Sequence, residues 1–226
     1  MEVAMHDRGH RNHVMGFPRP QEPVMNISRN ILRTAALAAA LAFASSHAVA
    51  APTVNTLGGD TRVTLSSTFL GALQSLGVSA SPSFPASIRN GNARFPIPTG
   101  EIDAQSFKGE IVHDGGLNLR AGDLTVTISS FVIDTTGSAP VLTGLVKAND
   151  SVIGRIPLFD LALGSAPQVQ SRGRYGSLRI NDVAVTLNAE AAAALNSAFG
   201  VTAFTAGIPI GTARVNTFFY EPDSGH

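Results

Sequence analysis

Leu124-Thr125-Val126-Thr127-Ile128-Ser129-Ser130-Phe131-Val132-Ile133 is the stretch whose reading decides the fold. Up to Ile128 the apolar side chains fall on even positions and threonines on odd ones, the period of a strand with one face buried. From Phe131 the apolar residues fall on odd positions. A slip of one residue would turn every later side chain to the other face, so the phase change predicts a β-bulge at Ser129-Ser130.

The same alternation spreads in both directions. Thr61-Arg62-Val63-Thr64-Leu65 reads as a strand. Lys108–His113 and Leu117–Leu119 flank Asp114-Gly115-Gly116, and a D-G step between β-like runs predicts a hairpin there. Val141–Lys147 and Val152–Ile156 form a second predicted hairpin across Ala148-Asn149-Asp150-Ser151. Pro157–Leu163 continues as a strand in which Pro157 demands an edge or a bulge. Gln168–Ser171, Leu178–Leu187 with a further phase change at Asn181-Asp182, and Ile208–Tyr220 complete the series.

Two short helices interrupt it. Ser66 or Ser67 caps one, with Phe69, Leu70, Leu73 and Leu76 on one face and Gly77 at its end; Asn188 caps the other, Ala189–Phe199, with Glu190 in its first turn and Gly200 as its stop. Ser79–Asn92, with prolines and several serines, reads as a loop. The expected fold is all-β: a single antiparallel β-sandwich or partly closed barrel with two short helices.

Residues 25–50 read as a secretory signal peptide. A basic segment containing Arg29 and Arg33 precedes the Ala/Leu-rich run Thr34–Ser45, and Ala48-Val49-Ala50 offers an A-x-A cleavage site, so the exported form is expected to begin at Ala51. Residues 1–24 read as a misassigned upstream leader. The apolar run is too short for a spanning helix, which leaves no transmembrane segment in the mature chain. Residues 51–60 are expected to be a tether, 61–220 the β domain and 221–226 a tail, the product residing in the periplasm or outside the cell.

Composition narrows the chemistry. The formal net charge is zero, which gives no basic surface to recruit nucleic acid or anionic lipid. With no cysteine, burial and backbone pairing must hold an exported fold without disulfides. His6, His10, His13 and His47 precede the expected cut, leaving His113 inside the domain and His226 at the end. One interior histidine without a G-x-S-x-G turn is a poor basis for a serine hydrolase or a zinc site.

The acids offer little more. Glu101 and Asp103 mimic a glycosidase pair but read as solvated strand or turn residues, and Asp60 and Asp114 lack the neighbours of a calcium loop. The expectation is a protein that is not an enzyme. Tyr175 and Tyr220, the two tyrosines, read either as surface phenols or as oxygen ligands for haem iron.

The segment from Phe95 to Asn216 resembles the HtaA domain family of secreted and envelope-attached bacterial proteins, several of which bind haem. The resemblance rests on Phe95-Pro96-Ile97-Pro98-Thr99-Gly100, on Lys108-Gly109-Glu110-Ile111-Val112-His113-Asp114-Gly115-Gly116-Leu117, and on Val183–Ala191 followed by Phe199. It implies an exported binding protein for haem or another apolar small molecule. In haem-binding members an early helix carries an iron-ligating tyrosine, and a histidine in an H-x-G-x-L-like step supports it. His113 matches the histidine, whereas Thr68-Phe69-Leu70 on the early helix offers no phenol.

If haem binds, its axial ligand is expected from His113, which the resemblance points to, or from Tyr175 or Tyr220, the phenols the chain offers in place of one on the early helix. His113 is expected at a hairpin rim, able to reach an open pocket. The alternative is a structural or adhesive envelope domain without a small ligand, with other envelope proteins as partners.

Overall fold

The computed structural model describes residues 53–222; the signal segment, its cleavage point, residues 223–226 and His226 lie outside them. Twelve strands and two helices follow in the order β1 (Thr53–Leu65), α1 (Ser67–Ser75), β2 (Ser79–Ser83), β3 (Ser87–Arg89), β4 (Asn92–Pro96), β5 (Thr99–Asp103), β6 (Gly109–Ala121), β7 (Leu124–Asp134), β8 (Val141–Ala148), β9 (Ser151–Leu163), β10 (Gln168–Arg172), β11 (Tyr175–Leu187), α2 (Ala189–Phe199) and β12 (Pro209–Tyr220). Pairing runs β5-β6-β7-β8-β9-β11, and β12 joins β11 to β1, which pairs β5 in turn. The sheet therefore closes on itself, every pair antiparallel, with β2, β3, β4 and β10 as side branches that make the barrel uneven.

The predicted bulges set how the ring turns its faces. Ser130 sits at φ 52°, and the register of β7 shifts on both sides of it, so Val126, Ile128, Phe131 and Ile133 all point inward. The second phase change is equally a bulge, between Ile180 and Val183 with Asp182 at φ 54°. Pro157 lies where the β8–β9 register shifts, which accommodates its missing N–H. The hairpin turn at Asn149-Asp150 and the helix caps at Ser66, Asn188 and Gly200 stand as read from the sequence.

Four expectations are corrected. Asp114-Gly115 does not turn a hairpin: β6 runs straight through it, and the pair forms a bulge opposite Ser130, while the chain reverses at Gly122-Asp123. Glycine is required in the bulge because φ is +88° and an added Cβ at Gly115 would sit 2.5 Å from the Ala86 nitrogen. Residues 53–60, read as tether, form the first half of β1 and pair with β5 and β12. Residues 79–92, read as loop, contain β2 and β3, which pair with β6 and β4. Leu70, placed on the buried helix face, is 41% exposed, and α1 is anchored by the buried Phe69 and Leu73, with the half-buried Leu76 at its C-cap packing beside them.

Both helices cover the same end of the barrel. The helix α1 leaves the end of β1 and α2 leaves the end of β11, where Ser66 N donates to Ile210 O and Leu187 N to Ile208 O. Phe69, Leu73, Ala191 and Ala192 join the strands in one apolar cluster under this cap. A second cluster, built on Ile102, Ile111, Ile133, Leu178 and Val215, lies toward the other end.

Candidate functional site

His113 lies between these two clusters. On β6 its inward neighbours are Ile111, which belongs to the second cluster, and Leu117, which belongs to the first. The strand alternation aims its ring into the barrel, where it is 2% exposed, not at a rim. The expectation of an accessible imidazole failed because it rested on the hairpin turn that is in fact a bulge. Across the interior, Nε2 lies 2.7 Å from Oγ1 of Thr61 on β1, and this bond ties two strands 52 residues apart in sequence.

Thr61 is itself buried, paired with Val215 on one side and Phe95 on the other. The Phe95 and Phe131 rings meet edge to face beside it at 5.2 Å, and Phe131 is the cross-strand partner of His113. Sequence reading did not single out Thr61. Its signal is a threonine on the apolar phase of a strand, where a polar side chain needs a buried partner.

Burial pulls the His113 pKa down to about 4, outweighing the backbone of Ile111 and Phe131, which favours the charged ring. The ring is neutral at ordinary pH. Nδ1 makes no hydrogen bond of good geometry, and the nearby backbone of Ile111 and Phe131 supplies what polar contact the ring has beyond Thr61.

The ring and Thr61 border an interior cavity of about 80 Å3, otherwise walled by apolar side chains including Phe69, Leu119 and Ala194. Pockets that hold cofactor-sized ligands measure roughly 300–1,000 Å3. The space beside His113 is far below that range. At the helix, Phe69 borders the same cavity and brings no oxygen.

Tyr175 and Tyr220 are elsewhere. They face each other across β11 and β12, rings 5.2 Å apart, and Tyr175 is 61% exposed on the outer surface. Arg174 Nη1 donates to Tyr220 Oη at 3.4 Å. Neither borders the His113 cavity, so the structure divides the three expected ligands between an interior and an exterior position. Glu101 and Asp103 do not form a catalytic pair. Glu101 is exposed on β5, and Asp103 accepts from Gln105 N, Ser106 N and Ser106 Oγ in the following turn, bonds that hold its carboxyl below the usual range.

The roomier apolar recess opens at the end opposite the helices, among the β5–β6, β7–β8 and β9–β10 connections. It measures about 260 Å3 and is lined by Phe107, Ile111, Pro140, Leu163, Pro167 and Ile180, among others. Lys108 stands at its wall, its ammonium donating to Gly137 O. Sequence reading missed this mouth, since its walls come from connections that only the closed ring brings together.

No family model and no curated protein matches the chain. Its fold is similar to the crystal structure of the C-terminal domain of HtaA from Corynebacterium glutamicum, with a TM-score of 0.55 and 16% identity over 74% of this chain and 99% of that one. The N-terminal domain of the same protein matches with a TM-score of 0.52 and 18% identity, covering 75% and 99%. At such identities the likeness is one of fold. The chain has an HtaA-like domain fold, and among its described residues no helix is long and apolar enough to cross a membrane.

Proposed function

We propose that the chain is an exported, non-enzymatic domain that carries an apolar small molecule in the open mouth of its barrel. The carrying observation is the recess walled by Phe107, Pro140, Leu163 and Pro167, close in size to the smaller ligand pockets and open to solvent where the other end is capped. Haem held in the HtaA family's manner is not supported, because the helix lacks a phenol and the cavity that His113 borders is small. Periplasmic or extracellular residence follows from the signal-peptide reading of residues 25–50. A second reading, a structural or adhesive envelope domain, draws support from the charged outer flanks of the barrel.

Fluorescence titration with N-phenyl-1-naphthylamine, which brightens in apolar surroundings, tests the first reading. Saturable binding is expected, lost in Leu163→Glu and kept in His113→Ala. Absence of saturation, or binding indifferent to Leu163→Glu, would overturn it. A parallel haemin titration discriminates the family's mode: a saturable Soret shift that vanishes in His113→Ala would restore haem as the interior ligand.

A further inference from the structure

Two rows of like charge run across the outside of the barrel, and they are of opposite sign. Arg94 on β4, Arg62 on β1 and Arg214 on β12 are direct cross-strand partners. Arg179 on β11 stands nearby, opposite Asn216, and all four arginines are exposed. Asp60 accepts from Arg62 at 3.0 Å and from Arg94 at 2.9 Å. Its partial burial works against ionisation and is outweighed by these two guanidiniums, which keep the carboxyl below its usual range. Arg214 and Arg179 have no ion-pair partner among the described residues.

The second row begins on β5, the neighbour of β1, and runs away from the arginines. Glu101 on β5 faces Glu110 on β6, which faces Asp134 on β7. The register continues through Val141 on β8 to Asp160 on β9. Glu101 and Glu110 are exposed, and neither has an ion-pair partner among the described residues. Lys108 tempers Asp134, whose carboxyl is held low first by its hydrogen bonds with Thr136.

Like charges directly opposite each other in a sheet oppose folding. Asp60 offsets this for Arg62 and Arg94 and Lys108 for Asp134, whereas Arg214 and the Glu101–Glu110 pair have no such compensation among the described residues. The arginine flank also carries the composition of a contact surface. Beside it, Leu57 on β1 and Phe218 on β12 are 54% and 58% exposed, next to the Tyr175–Tyr220 pair. Arginine and aromatic side chains are enriched among the residues that contribute most to protein–protein contacts.

We propose that a second copy of this chain docks head to tail, the acidic row Glu101–Glu110–Asp134 of one copy on the arginine row Arg94–Arg62–Arg214 of the next. A two-fold contact through the arginine flank would set guanidinium against guanidinium. The complementary rows lie instead on adjoining strands, β5–β7 and β4–β1–β12, which meet where β1 pairs β5. Such a contact is heterologous and propagates, closing only if the rotation between copies allows a ring. It also satisfies the unpaired Arg214, Glu101 and Glu110 in one step.

Sedimentation velocity of the full chain over a concentration series tests this. At low ionic strength the mass should rise above the monomer with concentration and fall back in about 0.5 M salt, where charges a few ångströms apart are screened. Arg62→Glu with Arg214→Glu should weaken association at least about tenfold, as should Glu101→Lys with Glu110→Lys. Mixed one to one, these two variants should associate, since each supplies the charge the other lacks; that recovery also demonstrates that both are folded.

A wild-type chain that stays monomeric at low salt would overturn the proposal. So would reversals that associate as strongly as wild type, or a mixture that fails to associate while each variant keeps the wild-type circular dichroism. Binding of the naphthylamine probe in the mouth is a separate readout. The self-association can fail while that reading stands, and the reverse.

Discussion

Thr61 and Arg62 are consecutive residues of β1, yet they belong to regions built on opposite principles. Thr61 faces an interior where charge is excluded: its partner His113 is neutral, and the remaining walls are apolar. Arg62 faces solvent in a row where charges are set against their own kind. Interior positions are chosen to hold one copy of the fold together. The outer rows set like charges in register, an arrangement that the proposed self-association would offset. The contrast also sets the proposed binding at the mouth and the flanks, away from the buried histidine.

The strongest way to break this division is to ask whether the interior truly rejects charge. An unfolded histidine titrates near 6.5, while folded His113 titrates at about 4. Between these values the unfolded chain takes up a proton that the folded one refuses. Stability is therefore intact above pH 6.5 and falls as the pH drops toward 4, by on the order of 3 kcal/mol in all. Denaturant melts across that window should show the slope, and His113→Phe should flatten it. Equal slopes in the two proteins would mean that the imidazole charges in place and that the interior is not sealed.

A smaller effect sharpens the distinction between faces on a single strand. Val126 is buried beneath the cap, whereas Thr125 is only partly covered and pairs with Arg120. Val126→Ala should cost about 1–3 kcal/mol and Thr125→Ala under about 0.5 kcal/mol. Comparable costs would show that β7 is registered differently.

Much of this arrangement was legible in the sequence because alternation reports which face is buried, and a phase flip reports a bulge. Ser129-Ser130 and Asn181-Asp182 were read correctly on that basis. Asp114-Gly115 was misread because a turn and a bulge call for the same residues: both need a glycine at positive φ between apolar runs. Only the pairing partner, β7 along the whole of β6, separates the two. The error carried His113 from the interior to an imagined rim. The strands within residues 53–60 and 79–92 were hidden by glycine, proline and serine, whose low strand propensity was overridden by pairing with β12, β5, β6 and β4. The mouth and the charge rows were beyond a linear reading, since Arg62, Arg94 and Arg214 become neighbours only through register.

The smallest expected effect is the most diagnostic of the outer flank. Arg214 is exposed and stands directly opposite Arg62, with no carboxylate of its own among the described residues, while Asp60 is already shared by Arg62 and Arg94. Removing its charge sacrifices no ion pair and relieves one like-charge contact, so Arg214→Gln should leave stability unchanged or raise it by up to about 0.5 kcal/mol. Adding salt to the wild-type protein should move stability in the same direction, by screening the row. Arg62→Gln differs because it gives up a hydrogen bond to Asp60, and an exposed pair of this kind is worth up to about 1 kcal/mol. Chemical denaturation of the two variants, side by side in low and high salt, separates these cases. If Arg214→Gln proved clearly destabilising, the arginine row would be part of what holds one copy together, and the contrast between the two faces of β1 would not stand.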